Sequence, residues 1–367
     1  MHRQTTGSSS SFTFISATLT RWASMPCTPK VLLVILNHNS LKSLGQDSIK
    51  FLRSILSTDY PALEVVIVDN ASSDGSDIVI EQELKTVGKG RLIKLKSNLG
   101  YAGGNNYGFR ALGRDCKYVA FLNNDIEVEP DWLKKIVEVM ENDESVAAAQ
   151  PKILQLRDRS LIDSLGGMID VIGRAYDLYH GLPDTLKIER PFDVFYARGA
   201  ALVVRGDVFR KSGGFDEDYF IYYEETDLCW RLRLMGYRVV TVPTSRVYHL
   251  GGGTMGKVMP RAVYYRRRNQ LATLLKNYSL SRALFYSSVL IIRYFGFSVL
   301  RILFQKDLAI ARAVLSALVW NFRNIRSILR KRMEVQAKRR APDSHVMKFM
   351  MSMRGYELAV KHLTDSY

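Results

Sequence analysis

The sequence predicts an α/β fold, a mostly parallel sheet with flanking helices, followed by a basic amphipathic helical region toward the carboxyl end. Three observations predict it. Short runs of consecutive apolar residues recur at 31–36 (VLLVIL), 65–68 (VVIV) and 118–122 (YVAFL), and each stops abruptly at Asn or Asp. Strands buried on both faces read this way. Between the first two runs lies a helical repeat, Ile49, Leu52, Ile55 and Leu56, and strand, helix, strand with buried strands implies parallel pairing through a crossover. The third observation is where the charge sits. Residues 261–340 hold 18 Lys and Arg against two acids, a balance of +16 that equals the net charge of all 367 residues. A basic segment on a neutral body points to an anionic surface as partner.

The chain divides accordingly into a Ser- and Thr-rich tail over 1–29, expected to be disordered, an α/β domain over 30–255 and a basic helical region over 256–367. The weak apolar patch at 12–19 lacks a basic flank, which argues against a secretory signal. Met25, just ahead of the first strand, is an alternative start. Cys27, Cys116 and Cys229 are too far apart for a metal-ligand spacing and read as the reduced thiols of an intracellular protein.

Taken in order, the first strand ends at Asn37 and the second at Asp69, followed by a turn and helix start over 72–76. A carboxylate at Asp69 can accept hydrogen bonds from a ribose hydroxyl or a base N–H; a turn or cap is the plainer role for it. His38 reads as structural. The stretch 98–108 (NLGYAGGNNYG) opens a helix, and its glycines permit close backbone approach. Such a turn can present N–H groups to a phosphate or sugar. It matches neither the dinucleotide nor the P-loop fingerprint, which argues against a nicotinamide enzyme or an ATPase. The strand at 118–122 ends in Asn123, Asn124 and Asp125. Ligands of open α/β sheets bind beyond the carboxyl ends of the strands, so Asn37, Asp69 and Asp125 should converge on one edge. There Asp125 is placed to hold a hard metal ion and, through it, a diphosphate.

Residues 155–190 carry no motif and are expected to form variable loops. Gly199, Ala200 and Ala201 precede another buried strand, and their small side chains leave space there. Glu224, Glu225 and Asp227 place three acids at a helix start. Asp227 and Arg231, four residues apart, should pair, leaving Glu224 and Glu225 toward the crevice. His249 closes an apolar strand and precedes the glycines at 251–253; a structural role is the plainer one for a lone histidine.

The ordered set Asp69 to Asp74 (DNASSD), Asn98 to Asn106, Leu122 to Asp125 (LNND), 213–217 (GGFDE), 220–231 (FIYYEETDLCWR) and 247–249 (VYH) resembles the family 2 glycosyltransferases of GT-A fold, and within them the rhamnosyltransferase-like, cell-surface glycan subgroup. The resemblance covers about residues 30–255. It implies a UDP-, dTDP- or GDP-linked sugar donor and inverting transfer to the hydroxyl of a glycan or lipid-linked acceptor, with a divalent metal, Mg or Mn. It implies donor contacts from Asn37, Asp69, Asn98, Gly100, Gly103, Gly104, Asn105, Asn106, Asn123 and Asn124. Asp125 and His249 would be metal ligands. Glu225 would be the base within a catalytic set that includes Glu224 and Asp227. One departure stands out: the first carboxylate of the family's aspartate-any-aspartate motif is Asn123. A non-catalytic sugar-nucleotide scaffold is the alternative. A nucleotidyltransferase would need a basic, glycine-rich phosphate loop, which 37–44 does not offer.

Residues 284–304 are long enough to cross a bilayer, yet Arg293 near the middle would cost about 2.5–3.5 kcal/mol. On a helical wheel Arg282, Arg293, Arg301 and Arg312 share about a third of the circumference. The expectation is a helix in the headgroup plane, on anionic lipid at the cytoplasmic face of the cell membrane. The apolar content of 284–304 and 309–320 argues against nucleic acid as the partner.

Overall fold

The computed structural model describes residues 28–185, 188–251 and 260–351. The expected disordered tail, apart from its last two residues, lies outside them, with Met25 and Cys27, and so do the glycines at 252–253. In chain order the elements are β1 (Val31–Asn37), α1 (Ser40–Leu44), α2 (Asp47–Leu56), β2 (Leu63–Asp69), α3 (Ser76–Val87), β3 (Arg91–Lys94), α4 (Gly100–Leu112), β4 (Tyr118–Asn123), β5 (Ile126–Val128), α5 (Trp132–Asn142), β6 (Val146–Gln155), β7 (Ile162–Ser164), β8 (Gly167–Ile169), β9 (Ala175–Asp177), β10 (Phe192–Asp193), β11 (Ala201–Arg205), α6 (Gly206–Ser212), α7 (Glu224–Leu234) and β12 (Arg238–His249). The basic region supplies α8 (Pro260–Asn277), α9 (Leu280–Leu303), α10 (Leu308–Arg323), α11 (Ile325–Ala337) and α12 (Asp343–Met347).

The main sheet runs β3-β2-β1-β4-β11-β6-β12-β10. The first four strands are mutually parallel, β12 is parallel to β6, and β11 is inserted antiparallel between β4 and β6. The mixed α/β class and mostly parallel sheet therefore follow the sequence expectation. The continuous apolar runs have a direct cause: successive residues feed opposite cores. Leu32, Val34, Val66, Val68 and Phe121 pack on one face of the sheet, while Leu33, Ile35, Val65, Ile67 and Leu122 pack on the other.

The glycines of α4 let it lie close to this sheet. A Cβ at Gly104 would sit 2.3 Å from Leu36 Cδ1, and one at Gly108 would sit 2.8 Å from Val34 Cγ1. The helix is thus seated on β1 and β2 at a distance that only a missing side chain allows.

The basic region is no loose appendage. Leu271 and Leu274 of α8, with Tyr278 just after it, enter the same core as the sheet. Its polar residues are buried too. Lys276 pairs with Asp216 and Asp227, and Lys331 of α11 also reaches Asp216. The division expected at 255/256 is therefore not a packing boundary, because the hydrophobic and ionic contacts of α8 continue those of the catalytic half. The helical wheel needs correction as well. The chain breaks at Lys306, which has φ +51, so Arg312 lies on a different helix from Arg293, and Arg282 and Arg301 pair with Asp343 and Asp307.

Candidate active site

The parallel register places Asn37 opposite Asp69, and Leu36 opposite Asn123. Three strand ends thus meet on one rim. Asn37 is buried, and its amide donates to Asp69 Oδ1 at 2.8 Å and to Ser76 Oγ at 3.0 Å, while its own oxygen accepts from Asn124 at 3.3 Å. Asp69 further accepts from the N–H of Ser72 at 3.0 Å and from its hydroxyl at 2.5 Å. The carboxylate shapes the turn after β2, and with about four acceptor positions it keeps room for one more donor.

His249 reaches this rim from 124 residues downstream. Strand β12 pairs with β5, setting His249 against Ile126, and Leu250 N–H donates to the carbonyl of Asp125. The imidazole Nε2 lies 3.4 Å from Asp125 Oδ1, and Nδ1 lies 2.8 Å from Asp163 Oδ2. Burial works to lower the imidazole pKa, but the hydrogen bonds and charges of Asp125 and Asp163 prevail and push it up to about 9. The two carboxylates thus favour a proton on this ring, and a metal at Nε2 would have to displace it. Asp163 in turn accepts from Arg198 at 3.0 Å, and Arg198 lies 3.6 Å from Asp177. Burial would raise the Asp163 carboxyl, yet its bonds to His180 and His249 and the charge of Arg198 hold it well below the usual range.

Glu225 closes the series. A Cβ built on Gly199 would lie 3.7 Å from Glu225 Cδ and 3.1 Å from the Tyr101 hydroxyl, so the glycine leaves space between the acid and that ring. Burial raises the Glu225 pKa, the Asp177 charge adds to it, and Arg198 opposes. Glu224 is raised well above its ordinary value by burial and then by Glu225. Contacts thus join Asp69, Asn37 and Asn124 on one side and Asp125, His249, Asp163 and Arg198 on the other, Asn124 and Asp125 being chain neighbours, and the charge of Arg198 acts on Glu225. Along or beside these contacts two buried carboxylate oxygens, Glu224 Oε2 and Glu225 Oε2, have no hydrogen-bond partner, and Asp125 Oδ1 has only the His249 Nε2 at 3.4 Å. Such atoms are costly unless a ligand uses them.

The loop ahead of α7 is strained. Phe220, Tyr222 and Tyr223 have φ of +63, +70 and +72, a region that bulky residues rarely occupy. Asn269 of α8 holds it by donating to the carbonyls of Tyr219, Ile221 and Tyr222.

Several sequence expectations are corrected here. The N–H groups of Tyr101 and Ala102, at the start of α4, donate to the Phe220 carbonyl and are not presented to a ligand. Gly100, with φ +71, is required by that approach, since its Cβ would lie 2.3 Å from the same oxygen. Gly103 and Gly104 pack on Leu99 and Leu36. The Asn98 side chain bonds Gly100 N–H and Asn70. Asn105 donates to Tyr101 O, and Asn106 clasps Phe215 and Glu217, away from the rim. Asp227 pairs with Arg231 at 2.8 Å, as its spacing predicts, but it is wholly buried with Lys276 and Asn277 and belongs to the scaffold, not to the catalytic set. Conversely, Asp163, Asp177 and Arg198 were not foreseen. The only signal was a charge among apolar and small neighbours, Asp163 in LIDSLGG and Arg198 in FYARGA.

Among the described residues no group of three or more His, Cys, Asp or Glu side chains is gathered to hold a metal. Two could hold one: Asp125 Oδ1 and His249 Nε2 face each other at 3.4 Å while Asp163 fixes Nδ1, the second-shell arrangement common around metal-bound histidine.

Residues 33–178 match the model of glycosyl transferase family 2, and residues 118–322 match that of glycosyl transferase family group 2. The chain is 29% identical over 235 residues to the N-acetylglucosaminyl-diphospho-decaprenol L-rhamnosyltransferase of Mycobacterium tuberculosis, covering 57% of this chain and 73% of that protein. It is 28% identical over 219 residues to the O-antigen biosynthesis protein RfbC of Myxococcus xanthus, of which it spans only 16%, against 57% of its own length. Among solved structures, a mannosyltransferase from Pyrobaculum calidifontis in complex with GDP-Man and Mn2+ superposes with a TM-score of 0.51 at 16% identity, covering 84% of this chain and 94% of that one. At that identity the likeness establishes the fold.

Proposed function

The chain belongs to glycosyl transferase family group 2, and from that premise we propose that it is an inverting glycosyltransferase, moving a sugar from a nucleotide-diphosphate donor to the hydroxyl of a lipid-linked or surface glycan. The observation that carries this reading is the gathering of Asp69, Asn37 and Asp125 at the strand ends with His249 beside them, together with the buried, unpartnered oxygens of Glu224 and of Glu225, the latter within the field of Arg198. In the reaction the acceptor oxygen attacks the anomeric carbon, its proton passes to Glu225, and the bond from that carbon to the diphosphate oxygen breaks with departure of the nucleoside diphosphate. A base with a raised pKa suits the task, because its conjugate acid and the acceptor hydroxyl are then better matched. Asp69 and Asn37 would meet the nucleoside end, and Asn123 and Asn124 the sugar diphosphate. Asp125 and His249 would hold a divalent Mg or Mn, which when bound neutralises charge developing on the leaving diphosphate. The scaffold alternative predicts donor binding without turnover.

The membrane belongs to the same proposal. Among the described residues α9 alone is long and apolar enough to cross a bilayer, and only 28% of its apolar window is buried. Ala283, Ser287, Leu290, Tyr294 and Ser298 turn inward, while Phe285, Ile292, Phe295, Leu303 and Phe304 are exposed. One flank on protein and the other apolar and open supports a helix lying on the cytoplasmic membrane face. Binding to anionic but not to neutral vesicles would support it; no binding at low salt would end it.

The test of the enzyme is Glu225→Gln with a panel of nucleotide sugars and Mg2+ or Mn2+. Transfer should fall by about 10²- to 10⁴-fold while donor binding persists. An unchanged rate removes Glu225 from its role, and absence of turnover by the parent protein with every donor leaves the scaffold.

A further inference from the structure

Along α10 runs an open groove of about 670 Å³, walled by Tyr264 of α8, Ile302 of α9 and Leu308, Leu315, Val319 and Trp320 of α10. We propose that this groove takes the hydrocarbon chain of a phosphorylated lipid and that this lipid carries the glycan whose hydroxyl accepts the sugar. The second half of the proposal rests on the transferase reading above.

Four features point to that occupant. The first is length. Leu308 and Arg323, both in its wall, stand 15 residues apart on one helix, about 22 Å at 1.5 Å per residue, which suits an extended chain of several isoprene units. The second is polarity. Ile302, Leu308 and Val319 are exposed and continue the open apolar flank of α9, a contiguous patch of a kind that soluble surfaces seldom keep without use. The third is charge. Arg312 and Arg323 line the groove, and, like most basic residues of this region, neither has a carboxylate partner among the described residues. A groove that is apolar along its walls and carries uncompensated guanidinium groups is complementary to a chain bearing phosphate.

The fourth is continuity with the rim. Tyr264 contacts Tyr265, which stacks on Phe220 at 5.4 Å between ring centres. Phe220 carries the carbonyl that caps α4 at Tyr101, and the Tyr101 hydroxyl donates to Gly199, beside Glu225. An acceptor anchored in the groove would thus lie along the same aromatic contacts that lead to the base. A second copy of the chain is a poorer occupant, because a twofold contact through this groove would set its unpaired arginines against their own images.

The probe is farnesyl phosphate, titrated into the full-length protein below its micelle concentration and followed by tryptophan emission. Trp320 is half-buried in the groove, Trp132 and Trp230 are wholly buried in the core, and the fourth tryptophan, Trp22, lies outside the described residues, so Trp320→Phe identifies the signal. Farnesyl phosphate should bind saturably. Farnesol should bind at least about tenfold more weakly, the scale of one charged hydrogen bond, and inorganic phosphate should give no response at the same concentration. The pair Arg312→Ala and Arg323→Ala should weaken farnesyl phosphate by about tenfold or more without altering farnesol. Lysine at both positions should restore much of the loss, which separates charge from folding. Farnesyl phosphate should also compete with a lipid-linked acceptor. Equal affinity for farnesol and its phosphate, indifference to the arginine replacements, or a concentration-dependent dimer that shields Trp320 would each overturn the proposal. If farnesyl phosphate binds as expected but no nucleotide sugar is hydrolysed or transferred, the lipid site stands and the transferase reading falls. If transfer occurs without such binding, the reverse holds.

Discussion

Replacing Asn269 with Ala should cost both stability and turnover, for one reason. Asn269 is wholly buried, and its amide donates at 3.0, 3.0 and 2.7 Å to the carbonyls of Tyr219, Ile221 and Tyr222. Tyr219 O keeps a second donor in Arg268 at 2.7 Å. Two carbonyls therefore lose the side-chain donor that holds them, at about 1–3 kcal/mol each. Partial relaxation of the loop brings the expected loss to about 2–4 kcal/mol. That relaxation is what reaches the chemistry. Phe220, Tyr222 and Tyr223 sit in left-handed backbone that costs about 1–3 kcal/mol per residue unless the surroundings enforce it. Freed of Asn269, the loop moves toward ordinary dihedrals and takes the start of α7 with it. A misplacement of about 1 Å can lower turnover about 100-fold. Urea unfolding measures the first effect, and donor turnover well below the melting temperature measures the second. Donor KM should change little, because Asn37 and Asp69 are held by other strands. A variant as stable as the parent within about 0.5 kcal/mol, with unchanged kcat, would refute the claim that α8 braces the catalytic loop.

Other outcomes follow from the same geometry. Because Glu225 must be ionised to take a proton and its pKa is raised above 4.5 by burial, kcat/KM should fall on the acid side with a midpoint above that value; Arg198→Gln removes a charge that opposes the rise and should move this limb to higher pH. An unmoved limb would exclude Arg198 as a positioning residue for the base. Asp163→Ala should weaken Mn2+ binding, read by calorimetry without donor, by about 10- to 100-fold, since Nδ1 of His249 loses its acceptor. Asp216 is held low: burial raises its carboxyl, but Lys276 and Lys331 outweigh this. Its contribution is thus fully present above the ordinary value of 3.8 and is lost as pH falls through the folded value. Asp216→Asn should be destabilised at neutral pH by about 3–5 kcal/mol, and the gap from the parent should shrink in acid; a gap independent of pH would contradict the ionic role.

The class of fold was readable because burial on both faces of a parallel sheet forces continuous apolar strands, and because those strands must end where the chain turns polar. That rule alone set Asn37, Asp69 and Asp125 on one edge, and the i, i+4 spacing alone paired Asp227 with Arg231. What the linear order could not carry is which side chains meet across distant elements. The glycines of 98–108 read as a ligand loop, yet they serve close packing, because the order of residues does not say whether a missing Cβ faces a phosphate or Leu36 and Phe220. Asp163 and Arg198 have no periodicity to announce them. They become part of the rim only because β7 pairs with β6, β12 carries His249 to Asp125, and β11 is inserted beside β4. Likewise the basic helices read as a separate membrane region, whereas packing commits α8 to the core and leaves the outer flank of α9 and the groove of α10 open. Local propensity and burial pattern are written residue by residue, while a site is a set of distances, and those exist only once the chain has closed on itself.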